Sequence, residues 1–442
     1  MALFSCFQSF PEEKMRWRAL IDPIVDPEAA GRQELYNRIR RKLDEIAGVL
    51  SAADSLEPSV KHPGLLDGRT GIALFFFYYA ALTRSQVHMD HAFDILSGIL
   101  DQAAEIDFQG GQAMFGVGLP GIGWAVEHLV QNRFFDATTN DILGELDQAL
   151  YNGMIHYLET GNYDYIHGAL GSALYFLNRK TLPQSSEFLA HLVDGLDKIS
   201  RADRHGGLKW ESITNYKTGE KGFAISLSHG IASIIAILAK ILEQEAIETE
   251  TRLKADGLLA GAVTYLLNQR LDRGSGDYFS CFPRRALECE PVISSRLAWC
   301  YGDLGIAMAL WQAARTAKRS KWEKIAVEVF SHAGQRRDLE QNRVIDAGLC
   351  HGAAGIAHIF NRIHHYTGDK QFKAAALYWI EKVLEMARFE NGCAGYKVKY
   401  SDEAGGLINK AGLLEGIAGI GLAFISMISA IEPKWDNCLL LS

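Results

Sequence analysis

The chain has 442 residues, 48% of them hydrophobic and 22% charged, which is the balance of a folded globular protein rather than a disordered one. A net charge of −8 excludes a general attraction to nucleic acid or to anionic membranes. No run of about 20 uninterrupted apolar residues occurs, so no membrane span is expected.

The N-terminus, Met1 to Phe7, lacks a basic region followed by a long apolar run, so no signal peptide is expected. The cysteines are Cys6, Cys281, Cys289, Cys300, Cys350, Cys393 and Cys438, odd in number and widely scattered. That pattern argues for a reducing, cytoplasmic setting, with some cysteines as metal ligands rather than a disulfide framework. Residues 1–60 read as a helical lead-in: Pro23 to Pro27 as loop, and Glu34–Leu50 as an amphipathic helix carrying Leu35, Ile39, Leu43 and Ile46 on one face.

Residues 61–442 repeat. Gly-x-x-Gly, or a near variant, leads into an apolar run at Gly68, Gly118, Gly168, Gly230, Gly302, Gly352 and Gly416, with spacings of 50, 50, 62, 72, 50 and 64 residues. One such motif means nothing, whereas seven in register are an internal repeat. Each unit has room for a helix buried on most sides and then an amphipathic one, such as Asp141–Leu158 or Lys321–His332. The expected architecture is all-α, with inner helices side by side and amphipathic helices outside. Short strands are expected in the longer loops, at Leu208–Asn215, Asp277–Phe282 and Tyr396–Tyr400. An open solenoid needs polar capping repeats, but the last repeat, Leu413–Ile428, is as apolar as the middle ones, which favours a closed ring.

The residues just before the first glycine of each repeat are Asp67, Val117, His167, His229, Tyr301, His351 and Glu415. Polar groups at the tips of buried helices are costly unless paired, metal-bound or facing a cavity. Four consecutive repeats hold most of the reactive types: Asp164 and His167; His229; Arg296, Cys300, Tyr301 and Asp303; then Cys350 and His351. Cys300 and Cys350 occupy the same repeat position, and two thiols with an adjacent imidazole match a catalytic zinc site with one open position. Read singly, either cysteine could be a buried small hydrophobe, Asp164 a helix cap, and Arg296 a partner of some acid. Asp67 and Glu415 read as charges favoured at helix N-termini, and His205, His358, His364 and His365 as solvated or packing residues.

Trp299-Cys-Tyr-Gly302, Cys350-His-Gly352, Ser228-His-Gly230 and Tyr163-Asp-Tyr-Ile-His-Gly168 resemble the lanthionine cyclase family (LanC-like proteins), and the likeness runs from about Gly64 nearly to the end. The resemblance implies a closed (α/α)7 toroid of seven inner and seven outer helices with Zn²⁺ near one mouth. It assigns Cys300, Cys350 and His351 as zinc ligands, and His229, Asp164, Arg296 and Tyr301 as active-site residues. Two departures stand out: Ser233 replaces the second glycine of repeat four, and His167 stands where an acid is expected.

The activity implied is addition of a cysteine thiol of a dehydrated precursor peptide to dehydroalanine or dehydrobutyrine. His229 would protonate the enolate, and Asp164, positioned by Arg296, would assist. With the chain occupied by the toroid, a stand-alone cyclase served by a separate dehydratase and an exporter is expected. Alternatives are glutathione addition to dehydrated residues, a zinc-binding scaffold without catalysis, and a carbohydrate-acting toroid using Asp67 and Glu415 as a carboxylate pair.

Overall fold

The computed structural model describes residues 17–22, 29–52, 62–104, 113–215, 218–272, 276, 278–284, 292–399 and 406–442; Cys6, Cys289 and the expected loop at Pro23 to Pro27 lie outside them. The outer layer comprises α1 (Ala29–Ser51), α3 (Gln86–Ala104), α5 (Thr139–Glu159), α7 (Ser185–Ile199), α9 (Thr249–Asn268), α11 (Ser320–Gln335) and α13 (Lys370–Glu385). The inner layer comprises α2 (Arg69–Thr83), α4 (Leu119–Gln131), α6 (Ala169–Asn178), α8 (Ile231–Glu243), α10 (Asp303–Thr316), α12 (Ala353–Thr367) and α14 (Ile417–Ile428). Every inner helix follows one of the glycine motifs. α14 packs against α2, which closes the ring, and α1 packs on α13 and α14. The lead-in helix is therefore the seventh outer helix, covering the one inner helix that no amphipathic helix follows.

Apolarity on every side explains the inner layer: all 12 residues of α14 are buried. Burying a large aliphatic side chain contributes roughly 1.5–3 kcal/mol, so only a core surrounded by other helices satisfies such a sequence. The glycines have a steric cause. Each incoming loop folds back over the helix it enters, so that Ala353 N–H donates to Asp346 O at 3.0 Å, and Ala169, Ile231 and Ile417 do the same to residues seven back. A Cβ on Gly355 would lie 1.9 Å from the Leu349 carbonyl oxygen, and one on Gly352 would lie 2.6 Å from that of Asp346.

These loops are stitched into a ring by main-chain hydrogen bonds. Leu66 N–H donates to Gly116 O (2.8 Å), Phe115 to Ile166 (3.0 Å), Leu227 to Cys300 (3.2 Å), Cys300 to Cys350 (3.3 Å), Cys350 to Leu414 (3.0 Å) and Leu414 back to Leu66 (2.8 Å). Among the described residues the third and fourth loops share no such bond. There the Ile166 N–H turns into its own loop and donates to Asp164 Oδ1 at 2.8 Å.

The axis of the ring is filled. After α14 the chain re-enters the centre, where Trp435, Cys438, Leu439 and Leu440 are buried. Trp299 Nε1–H donates to Leu439 O at 2.7 Å, the Tyr165 hydroxyl donates to Cys438 O, and His358 meets Asp436 at 2.8 Å. His358 is thus a packing residue, as expected.

Three two-stranded antiparallel ladders complete the fold: β1 (Arg201–Ala202) with β2 (Leu208–Lys209), β3 (Ser212–Asn215) with β4 (Glu220–Gly222), and β5 (Val398–Lys399) with β6 (Leu407–Ile408). They cover the first and third of the expected strand regions. Tyr278–Phe282 forms no strand. Its Cys281 and Phe282 N–H groups donate instead to the Asp303 carboxylate at 2.9 and 3.0 Å, and Arg336 pairs with the same carboxylate at 3.0 Å. Asp303 is consequently a structural residue, fully buried, and not one of the pocket groups expected from its place in the motif. Arg336→Met would leave that carboxylate buried and uncompensated, and is expected to lower unfolding free energy by about 3–5 kcal/mol in a urea titration; an unchanged midpoint would contradict this role.

Candidate active site

The helix N-termini of the inner layer converge on one mouth, and only α10 carries an acid in its first turn. Aligned helix dipoles make this mouth favourable for developing negative charge. Two clusters of reactive side chains sit in its rim.

Cys300 and Cys350 are brought together by the main-chain bond between their own loops, and His351 follows on the helix-entry turn. One donor atom from each of Cys300, Cys350 and His351 lies within 4.8 Å of the others. His351 Nε2 lies 3.4 Å from Asp346 Oδ2, the outer carboxylate that commonly orients a metal-binding imidazole. Burial opposes charge on His351, but Asp346 and Cys300 outweigh it and push its pKa up to about 10. The hydrogen bond from Cys350, then His351 and the Arg296 charge, hold the Cys300 thiol well below the usual thiol range against burial. Contact with Cys300, together with burial, pushes the Cys350 thiol up. The thiolate form of Cys300 and the protonated form of His351 thus favour one another, and a cation bound here would compete with the protons of Cys350 and His351. Two sulfurs and one nitrogen, with an outer carboxylate in place, fit zinc in a three-donor site.

The second cluster lies where the main-chain ring is interrupted. Asp164 Oδ1 accepts the N–H groups of Ile166 and His167, both at 2.8 Å, and Oδ2 meets His229 Nδ1 at 2.8 Å. Burial opposes both charges, yet each partner favours the other: Asp164 lies below the usual carboxylate range and His229 above the usual imidazole value. The two shifts favour the ion-paired form of the contact. The contact through Nδ1 turns the Nε2 edge of the ring away from Asp164. The Cys300 charge also favours the protonated form of His229, which ties the two clusters together electrostatically. The Tyr301 ring stands 5.7 Å from that of His229.

The family model described as lanthionine synthetase C-like protein matches residues 59–440. The chain belongs to that family. In fold it is similar to a solved structure of nisin cyclase, with a TM-score of 0.70 and 19% identity over 91% of this chain and 97% of that one.

In this lanthionine synthetase C-like chain the seven sequence-derived site residues meet at one mouth. Asp164 is held by amides of its own loop and by His229, and the Arg296 charge acts on the Cys300 thiol. His167 stacks on His229 with centroids 5.4 Å apart. Glu415 and Asp67 also face the mouth: burial and Asp67 push the Glu415 carboxyl up, while the His351 charge opposes them. Asp346 was missed by sequence reading. Its signal was available, because it stands six residues before Gly352, where the loop folds back on its helix, and it is an acid four residues before the Cys350-His351 pair.

Proposed function

We propose that this protein is a zinc-dependent lanthionine cyclase acting on a dehydrated precursor peptide. The observation that carries the reading is the meeting of a two-thiol, one-imidazole donor set with an Asp164–His229 ion pair at one mouth. Zinc, held by Cys300, Cys350 and His351, would supply the Lewis acidity that lets a substrate thiol ionise near neutral pH. Arg296 adds positive charge beside the sulfur cluster. The thiolate attacks the β-carbon of a dehydrated residue, forming the C–S bond while the C=C electrons pass to the α-carbon side. The inner-helix N-termini favour the resulting negative charge. His229 donates a proton from Nε2 to the α-carbon, and Asp164 keeps the imidazole oriented and charged until that moment. The thiol proton leaves to solvent and one returns to His229, so the net change is addition of S–H across the double bond. Tyr301, packed against His229, limits where the imidazole can swing.

The peptide substrate, the separate dehydratase and exporter, and a cytoplasmic location follow from the same reading. Among the described residues no helix is long and apolar enough to cross a membrane. Cyclisation leaves peptide mass unchanged, so the test is alkylation of free thiols after incubation with a dehydrated peptide. Loss of alkylatable cysteine without mass gain supports the proposal. A gain of one glutathione per dehydrated residue when glutathione is supplied, with no ring formed, would replace it by the glutathione reading.

The acid role has a pH signature. Because Asp164 outweighs burial, His229 stays protonated above its usual value of 6.5. A raised pKa means the charged form is present below it and lost as pH rises through it, so the rate should fall on the alkaline side. Asp164→Asn removes the raising charge and is expected to move that limb down by about one pH unit or more. An unmoved limb would assign it to another group.

A further inference from the structure

Asp164, His167 and His229 each contribute a donor atom, and these three atoms lie within 4.8 Å of one another. The carboxylate is preoriented: Oδ1 is pinned by two amides and lies 3.7 Å from His167 Nδ1, while Oδ2 lies 2.8 Å from His229 Nδ1. The two Nδ1 atoms thus flank a single carboxylate, and the imidazole planes lie 7° from parallel. Exposure is graded inward, from 34% for the His167 side chain to 16% for His229 and 4% for Asp164, which gives a cation a route from solvent. Burial, with the neighbouring His229, lowers the His167 pKa despite Asp164 and Asp67, which favours the neutral imidazole that can ligate a cation.

We infer that His167, Asp164 and His229 form a second divalent-cation site, separate from Cys300, Cys350 and His351, that takes Zn²⁺ or a similar borderline cation. Two imidazoles and one carboxylate with open positions are a common donor set for such ions. Zinc bonds of about 2.0–2.2 Å place donor atoms roughly 3.3 Å apart, a separation that lies between the 2.8 and 3.7 Å contacts present, and a bound ion would draw the two rings round to face it. Binding releases the proton held between His229 and Asp164 and engages the Nδ1 lone pair of His229. The imidazole then carries no proton-derived positive charge, and the Nε2–H that remains is a far weaker acid than the imidazolium, so the second cation switches cyclisation off. That effect on activity rests on the acid role proposed above, whereas the binding itself does not. His167 confers the site, and it stands where the family resemblance leads one to expect an acid.

The test is a Co²⁺ titration of the metal-stripped full chain, followed by absorption. The first equivalent should bring thiolate-to-cobalt charge transfer from the Cys300–Cys350 site, and the second should add ligand-field bands without further charge transfer. In His167→Gln the first phase should persist at full amplitude, which reports an intact fold, while affinity for the second equivalent drops by at least about tenfold. Saturation at one equivalent in the unmodified protein, or a second phase that survives in His167→Gln, overturns the site. In the zinc-loaded protein, cyclisation should fall as the second equivalent binds. If that equivalent binds and cyclisation is unaffected, the site stands and the acid role of His229 fails.

Discussion

Cys300→Ala is expected to lose the zinc equivalent held with Cys350 and His351 and to cyclise at least about a thousandfold more slowly. Two losses combine. A substrate thiol with a pKa of about 8.5 is only a few per cent ionised at pH 7 without a cation beside it, and an unanchored thiol also gives up the advantage of being held near its target carbon. The substitution leaves the ring intact, because Cys300 takes part through its main chain, donating to Cys350 O and accepting from Leu227 N–H. Zinc release measured with a chromophoric chelator, together with thiol alkylation of the product peptide, reads both effects. A variant that kept its zinc and cyclised at the original rate would sink the metal-centred mechanism.

His229→Asn is expected to show the opposite division. The zinc equivalent at Cys300, Cys350 and His351 should stay as in the unmodified protein, since His229 belongs to the other cluster, while the cyclisation rate should drop by about 10²–10⁴, the usual contribution of a general acid. Asparagine can still donate to Asp164, so the buried carboxylate keeps a partner and the fold is expected to hold. Peptide binding unchanged with the rate reduced would place the loss in the chemical step. Loss of zinc in this variant would mean that the two clusters are one structural unit and that the acid assignment is unsupported.

Much of this site is readable along the chain because the repeat converts sequence position into spatial position. Once the glycine motifs align, Cys300 and Cys350 must stand at equivalent points of neighbouring loops, and His229 and Asp164 must follow one and two loops away. Inner and outer helices are equally legible, since unbroken apolarity and one-sided apolarity require different surroundings. The same rule misreads Asp303. A residue in the first turn of an inner helix has the address of a pocket group, yet this one faces backwards into the Cys281–Phe282 loop, a contact set by a spacer of irregular length.

Other features have no local signature at all. Periodicity marks Glu34–Leu50 as a helix but cannot say that it covers α14, nearly the whole chain away. The apolar residues of 433–441 have no period that would announce an axial filling, and only the width of the closed ring makes room for them. The break in the main-chain ring depends on which way the Ile166 N–H points, and that is decided by competition between a neighbouring loop's carbonyl and the Asp164 carboxylate. The sequence by itself determined the number of repeats, the two layers and the rim on which the reactive residues gather, because those follow from periodicity and burial. Only the tertiary structure decided that Asp164 takes the amide that would otherwise complete the ring and meets His229, which favours the charged imidazole. That outcome depends on distances between segments 65 residues apart, which no local pattern records.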